Sequence, residues 1–297
     1  MSRTVFVTDA NFTVADDVSA YRVIDSIGTL PIWRWDPDNP TDSSSKKIVE
    51  TRFGHFDTDI GDFDVSYFCS TQNEAPFIDP QHRALLQICD RPCVARGRQS
   101  AREGMRFGVY VAISHMEYAV DLRFHGHHIV HTTTGNAHSV ACGRLSFFYG
   151  LKGPSIAIDT ACSSALVALH LIRHGVAGCD CDQGIAAAVN LCLSRYTNLI
   201  FTRAGMLARD GRCKTLDATA DGYSRHEGSG VVAATNNTDA NTNCLLLISS
   251  MVNQDGRSSS LTAPNGPSQN SLIGMTLSSG RIDPGDVNVL QLHGTGT

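Results

Sequence analysis

A layered α/β fold is what the sequence predicts, and three observations carry that expectation. Between residues 106 and 234, short β-branched apolar runs alternate with apolar-periodic segments of helix length. The chain has 297 residues, 42% hydrophobic and 18% charged, which suffices for a buried core and is the composition of an ordered protein. No repeat of 20–50 residues is visible, and only Ser43–Ser45 is low in complexity, which excludes a solenoid.

Residues 1–60 mix short apolar stretches with polar ones, and Asp36 to Lys47 reads as a surface loop. Asp79-Pro80 is an N-cap followed by proline in the first turn, predicting a helix over Gln81–Cys89. Arg106–Ile113 reads as a strand, the His- and Thr-rich passage Phe124–His138 as a loop, and Ser139–Tyr149 as a helix. Strand Ser155–Asp159, helix Ala161–His174 and strands Gly184–Asn190 and Gly230–Ala234 follow. Thr235–Asn243 is short enough for a hairpin-like link to Cys244–Ser250. Glycine and proline cluster between Gly256 and Pro267, and a last strand, Val287–Leu292, runs into His293.

A formal net charge of -5, with no long run of either sign, argues against a general nucleic-acid or anionic-membrane binder. The ten cysteines form no regular framework and several lie in apolar segments, so reduced, mostly buried thiols in an intracellular compartment, cytosol or plastid, are expected. No apolar run is long enough to span a bilayer, and the first residues lack the features of a secretory signal. Walker, dinucleotide-binding and Gly-x-Ser-x-Gly motifs are absent. His125, His127, His128 and His131, and Cys179 with Cys181, lack zinc-site spacing and read as surface loops, so no metal is expected.

Two stretches could carry chemistry. In Gly153 to His170 a β-branched strand turns through small residues into an apolar helix, and Cys162 sits at the turn. Positive charge at a helix N-terminus favours a thiolate there, as a nucleophile requires; a small buried hydrophobe is the equally open alternative. In Leu290–Thr297, His293 follows an apolar strand and precedes glycines that let a ligand approach the backbone. The alternative for His293 is a loop histidine satisfied by backbone.

Together with other stretches, these two resemble the β-ketoacyl synthases, the condensing domains of type I polyketide and fatty-acid synthases. Asp159-Thr-Ala-Cys-Ser-Ser164 is similar to the family's nucleophile motif, and His293-Gly-Thr-Gly-Thr297 to its first catalytic-histidine motif. Further matches are Ile78-Asp-Pro-Gln-His-Arg83, Ala141–Ser146, Gly150–Pro154, Gly211-Arg-Cys-Lys-Thr215, Asp221–Gly228, Asn253–Gly256 and Thr262–Gln269. The resemblance spans residues 33–297, with 1–32 a poorly matching N-terminal segment that lacks the family's glycine-rich turn.

The resemblance implies a thiolase-like layered α-β-α-β-α fold, its first half complete and its second only begun, with a second histidine, a lysine and an oxyanion-hole turn lying beyond Thr297. It implies Cys162 as nucleophile, its backbone N–H as an oxyanion donor, and His293 as one of two histidines in decarboxylative Claisen condensation. Thr295 and Thr297 resemble positions that hydrogen-bond a pantetheine arm. Implied partners are acyl carrier protein, acyl and malonyl thioesters, and a second copy through strand Ser155–Asp159. No cofactor is implied beyond the carrier's phosphopantetheine. A thiolase-like acyltransferase and a truncated, non-catalytic carrier-binding or dimerisation scaffold are the competing functions. Asp221 and Glu227 are expected to tie their loop, through Arg225 or backbone hydrogen bonds, rather than to act as acids.

Overall fold

The computed structural model describes residues 4–14, 26–38, 51–57, 59–68, 70–126, 130–237, 244–261 and 263–296. Its main feature is a six-stranded sheet built from β1 (Phe6–Val14), β4 (Phe107–Ala112), β5 (Ser155–Ile158), β6 (Gln183–Asn190), β8 (Gly228–Thr235) and β9 (Leu245–Leu246), in the order β5-β4-β6-β8-β1-β9. Strand β4 lies parallel to β5 and β6, while β8 runs antiparallel to β6 and β1. A smaller sheet joins β2 (Gly28–Thr29), β3 (Phe53–His55) and β7 (Arg225–His226).

Helices cover both faces of the large sheet, so every residue of β4 is buried, as an apolar run without polar alternation requires. Val109 and Val111 point to one face, among Leu85, Cys89 and Leu145 of α1 (Pro80–Glu103) and α4 (His138–Tyr149). Tyr110 and Ala112 point to the other, against Ala168, Ile172 and Val176 of α5 (Ser164–Ala177). This period-two division places α5 in van der Waals contact with the strands whose ends carry the loops described below.

The structure changes several expectations. Helix α1 continues to Glu103 through Pro92, because Cys93 in the following turn is buried on the sheet and holds the helix past the missing N–H. Part of the expected loop 124–138 is helix α3 (Val130–Asn136), which follows α2 (Glu117–Phe124). It is pinned by Asn136 Nδ2 donating to Phe77 O (3.0 Å) and Asp79 N–H donating to Gly135 O (2.9 Å). His131 is therefore helical, His125 caps the end of α2, and His127 and His128 lie outside the described residues.

The hairpin expected between β8 and residues 244–250 does not form. Strand β1 lies between β8 and β9, pairing antiparallel with both, so β8 and β9 are not neighbours in the sheet. Residues 287–292 pair with no strand among the described residues, and Val289 and Leu290 are exposed. Apolar composition alone does not make a strand without a neighbour to bond. Helices α6 (Arg195–Arg203) and α7 (Gly266–Gly280) were not expected; α7 starts where Asn265 Oδ1 accepts the Ser268 N–H. Of the surface loop Asp36–Lys47, only residues 36–38 are described.

Candidate active site

Strand β5 ends at Ile158, and the chain turns through Asp159 and Thr160 into one 3-10 turn, Ala161–Ser163, before α5 begins. Ala161 adopts φ 53°, a left-handed conformation that costs a non-glycine residue about 1–3 kcal/mol and persists only where the surroundings enforce it. Here they do. Asp159 Oδ1 accepts the Ala161 N–H (3.0 Å), and Ser163 Oγ donates to Thr160 O (2.9 Å). Ser164 Oγ accepts the Thr160 N–H (2.8 Å) and donates to Ala161 O (2.7 Å). The result presents Cys162 as an exposed free thiol at the start of an apolar helix. Cys162 is exposed here, whereas Cys89, Cys93, Cys142, Cys181 and Cys192 are buried. Burial pushes the Cys192 thiol up to about 12, so it stays protonated.

His293 is exposed, and the backbone after it is fixed by packing against residues 211–223. Gly222 N–H donates to Gly296 O (2.9 Å), and Thr215 Oγ1 donates to Gly294 O. A Cβ on Gly296 would stand 2.8 Å from Gly222 O and 2.9 Å from Lys214 N, both backbone atoms that cannot yield. The glycine is thus a steric requirement of this docking. Lys214 Nζ, between Asp221 (2.6 Å) and Asp210 (3.1 Å), holds the receiving loop together.

Tyr223 follows Gly222 in the chain, and burial raises its phenol pKa, with Arg225 opposing the rise and Cys162 adding a smaller contribution to it. No hydrogen bond joins His293 to Cys162 among the described residues. Thr295 is half-buried in the docked loop, and Thr297 lies outside the described residues.

Glu227 and Asp221 are tied into structure, Glu227 through backbone hydrogen bonds as expected and through Arg34 rather than Arg225, and Asp221 through Lys214. Glu227 Oε2 accepts from Arg34 (2.8 Å) and from Asp57 N–H (2.6 Å), and its Oε1 from Cys192 N–H (2.6 Å). Arg225 instead pairs with Glu117 (2.8 Å), whose other oxygen accepts the N–H groups of Leu193 (2.6 Å) and Ser194 (2.7 Å). These two buried ion pairs fasten both ends of β7, and with them Tyr223, to the loop after β6. Arg34, Glu117, Tyr223 and the bracing hydroxyl of Ser164 were not anticipated from the sequence. The density of Thr and Ser around Cys162 was the one local signal for the last. A cleft of about 310 Å³, lined by Asn11, Asp57, Asp62, Gln87, Leu191 and Ser229 among others, reaches the surroundings of Glu227 through Asp57 but is lined by none of Cys162, His293 and Tyr223.

An exposed cysteine at the turn from a strand into a helix, together with a histidine-bearing loop docked on residues 211–223, marks an α/β protein with a cysteine elbow. The comparisons with known proteins say which. Residues 21–240 match the β-ketoacyl synthase N-terminal domain and residues 246–297 the C-terminal domain of that family. The chain belongs to the β-ketoacyl synthase family, whose members are condensing, acyl-transferring enzymes.

It is 38% identical over 281 residues to a phenolphthiocerol/phthiocerol polyketide synthase of Mycobacterium tuberculosis, covering 92% of this chain and 18% of that protein. It is likewise 38% identical over 282 residues to polyketide synthase GfsB of Streptomyces halstedii, covering 92% of the chain and 5% of the relative. Among solved structures, an oxazolomycin ketosynthase domain from Streptomyces albus superposes with TM-score 0.87 at 29% identity, covering 99% of this chain and 53% of that one. The ketosynthase from module 6 of the Bacillus subtilis bacillaene synthase gives TM-score 0.82 at 29% identity, covering 99% and 51%. The fold is therefore the thiolase-like layered fold. The chain spans about half of each solved domain and a small part of each curated relative.

Proposed function

We propose that this chain is part of a polyketide-synthase condensing domain that joins an acyl thioester to a malonyl-type thioester by decarboxylative Claisen condensation. The observation that carries the reading is the exposed Cys162 on the strained elbow before α5. Cys162 Sγ attacks the acyl thioester carried on the phosphopantetheine arm of an acyl carrier protein. A new carbon–sulfur bond forms, the Cys162 backbone N–H stabilises the oxyanion, and the pantetheine thiol leaves with a proton. The malonyl unit then loses CO2. His293, with a second histidine, polarises its thioester carbonyl and holds the enolate, whose carbon attacks the acyl-cysteine and releases the Cys162 thiolate. Thr295 and Thr297 hydrogen-bond the pantetheine arm.

Strand β5 pairs with β4 on one side only among the described residues, with Ile156 and, on α4, Phe147 exposed beside it. A second copy pairs along this edge to make a homodimer, and gel filtration showing a monomer at micromolar concentration removes that part of the reading.

The deciding experiment loads the synthase with radiolabelled acyl groups from an acyl carrier protein. Cys162→Ala abolishes the covalent adduct, and His293→Ala keeps it while impairing malonyl decarboxylation and condensation. An adduct that persists in Cys162→Ala overturns the assignment, and loading without any decarboxylation in the unmutated synthase points to an acyltransferase only.

A further inference from the structure

Among the hydrogen-bonding side chains of the elbow, Asp159 and Ser163 are exposed, so water can replace what they offer. Ser164 is different: it is buried to 4% exposure, as the first residue of α5. Its hydroxyl takes the Thr160 N–H and gives its proton to Ala161 O, closing a ring of bonds across the residues on either side of the thiol. Ser114 Oγ, just past the end of β4, stands 3.3 Å from the same oxygen and ties this ring to the central sheet. One hydroxyl thus couples the positive φ of Ala161, the start of α5 and the sheet, while Cys162 lies inside the ring without bonding to it.

Resting on the role of Cys162 proposed above, we propose that Ser164 is the positioning residue of the elbow, aiming both the Cys162 thiol and its backbone N–H at the thioester carbonyl. Ser164 touches no substrate. It acts by denying Ala161 the ordinary right-handed conformation, which would swing the thiol and the N–H together out of line. Misplacement on the scale of 1 Å is enough to lose on the order of a hundredfold in a reaction that depends on attack geometry.

The test compares Ser164→Ala and Ser164→Thr in the full synthase, measuring iodoacetamide alkylation by peptide mass mapping alongside acyl loading. With Ser164→Ala, Cys162 alkylates on the order of tenfold or more slowly and the kcat of loading falls with KM unchanged. The exposed Cys179, whose surroundings are untouched, alkylates at its original rate. Ser164→Thr keeps the hydroxyl and recovers at least half of the lost rate. A folded Ser164→Ala protein whose Cys162 alkylates and loads at the original rate overturns the proposal while leaving Cys162 as nucleophile. Persistence of the adduct in Cys162→Ala overturns the nucleophile instead, so the two failures are separate.

If Ser164→Ala does not fold, hydrogen exchange in the unmutated synthase decides. The Thr160 N–H exchanges at least tenfold more slowly than an unstructured amide when Ser164 holds it, and exchange at the unstructured rate overturns the proposal.

Discussion

The ion pair between Arg34 and Glu227 allows a prediction in which single and double substitutions diverge. Both side chains are almost fully out of water, at 4% and 0% exposure. Burial pushes Glu227 up and Arg34 down from their ordinary values, each toward its neutral form, with the partner's charge opposing the shift. Desolvation therefore outweighs attraction, and the pair adds little net stability although each charge depends on the other. Arg34→Met leaves the Glu227 carboxylate buried without its cation. Glu227→Gln leaves the guanidinium buried and turns an amide N–H toward one of the two backbone donors from Asp57 and Cys192. Each single change is expected to cost about 3–5 kcal/mol, a drop in Tm of roughly 6–20 °C for a domain of this size. The double variant Arg34→Met/Glu227→Gln buries no charge and orphans one N–H, at about 1–3 kcal/mol. The assay is urea denaturation of the intact synthase domain and of the three variants, followed by fluorescence, giving a coupling energy from the cycle. Costs that simply add, or singles within about 1 kcal/mol of the parent, would show that neither charge depends on the other.

Further outcomes are expected elsewhere. Gly296→Ala drives a methyl into the backbone of Gly222 and Lys214 and unseats the His293 loop, so condensation falls on the order of a hundredfold while acyl loading of Cys162 is spared; a rapid-quench comparison of the two half-reactions checks this. Burial raises the Asp79 carboxyl to about 6, above its unfolded value, so the stability it contributes is present at pH 4 and lost as pH rises through 6. Burial, aided by Arg144 and His138, lowers neighbouring His82 to about 3, so the unfolded chain takes up the proton first and stability is lost as pH falls from 6.5 toward 3. The two slopes oppose each other, each up to about 1.4 kcal/mol per pH unit. His82→Gln is expected to leave stability falling as pH rises from 4 to 6, and Asp79→Asn to leave it rising. Equal slopes in both variants, measured by denaturant titration across that range, count against this account. Ser114→Ala leaves both local bonds of Ser164 in place and is expected to slow Cys162 alkylation less than Ser164→Ala does; an equal loss would place the brace in the sheet instead.

Elements that are self-sufficient along the chain were legible in the sequence. Strands β4, β5, β6 and β8 are short apolar runs bounded by turn residues, α4 is an apolar segment of helix length, and α5 shows its buried stripe locally, so length, flanking residues and local pattern predict them. The elbow was legible for the same reason, since strand, small-residue turn, cysteine and helix are contiguous. So were the glycines after His293. What failed depended on partners distant in sequence. Helix α3 exists because Asn136 and Gly135 bond to Phe77 and Asp79, the run 287–292 stays unpaired because no described strand lies beside it, and β9 joins the sheet across β1 rather than β8.

Residue order alone thus settles the chemistry on offer: a thiol at a helix start, a histidine before glycines, and a charged loop from Asp221 to Glu227. How these groups are held is a matter of packing in three dimensions. Arg34 and Glu227 are 193 residues apart, and Glu117 and Arg225 are 108 apart. No local pattern announces which buried carboxylate takes which guanidinium. That choice follows from which groups folding removes from water together, because there a charge without its partner cannot be left.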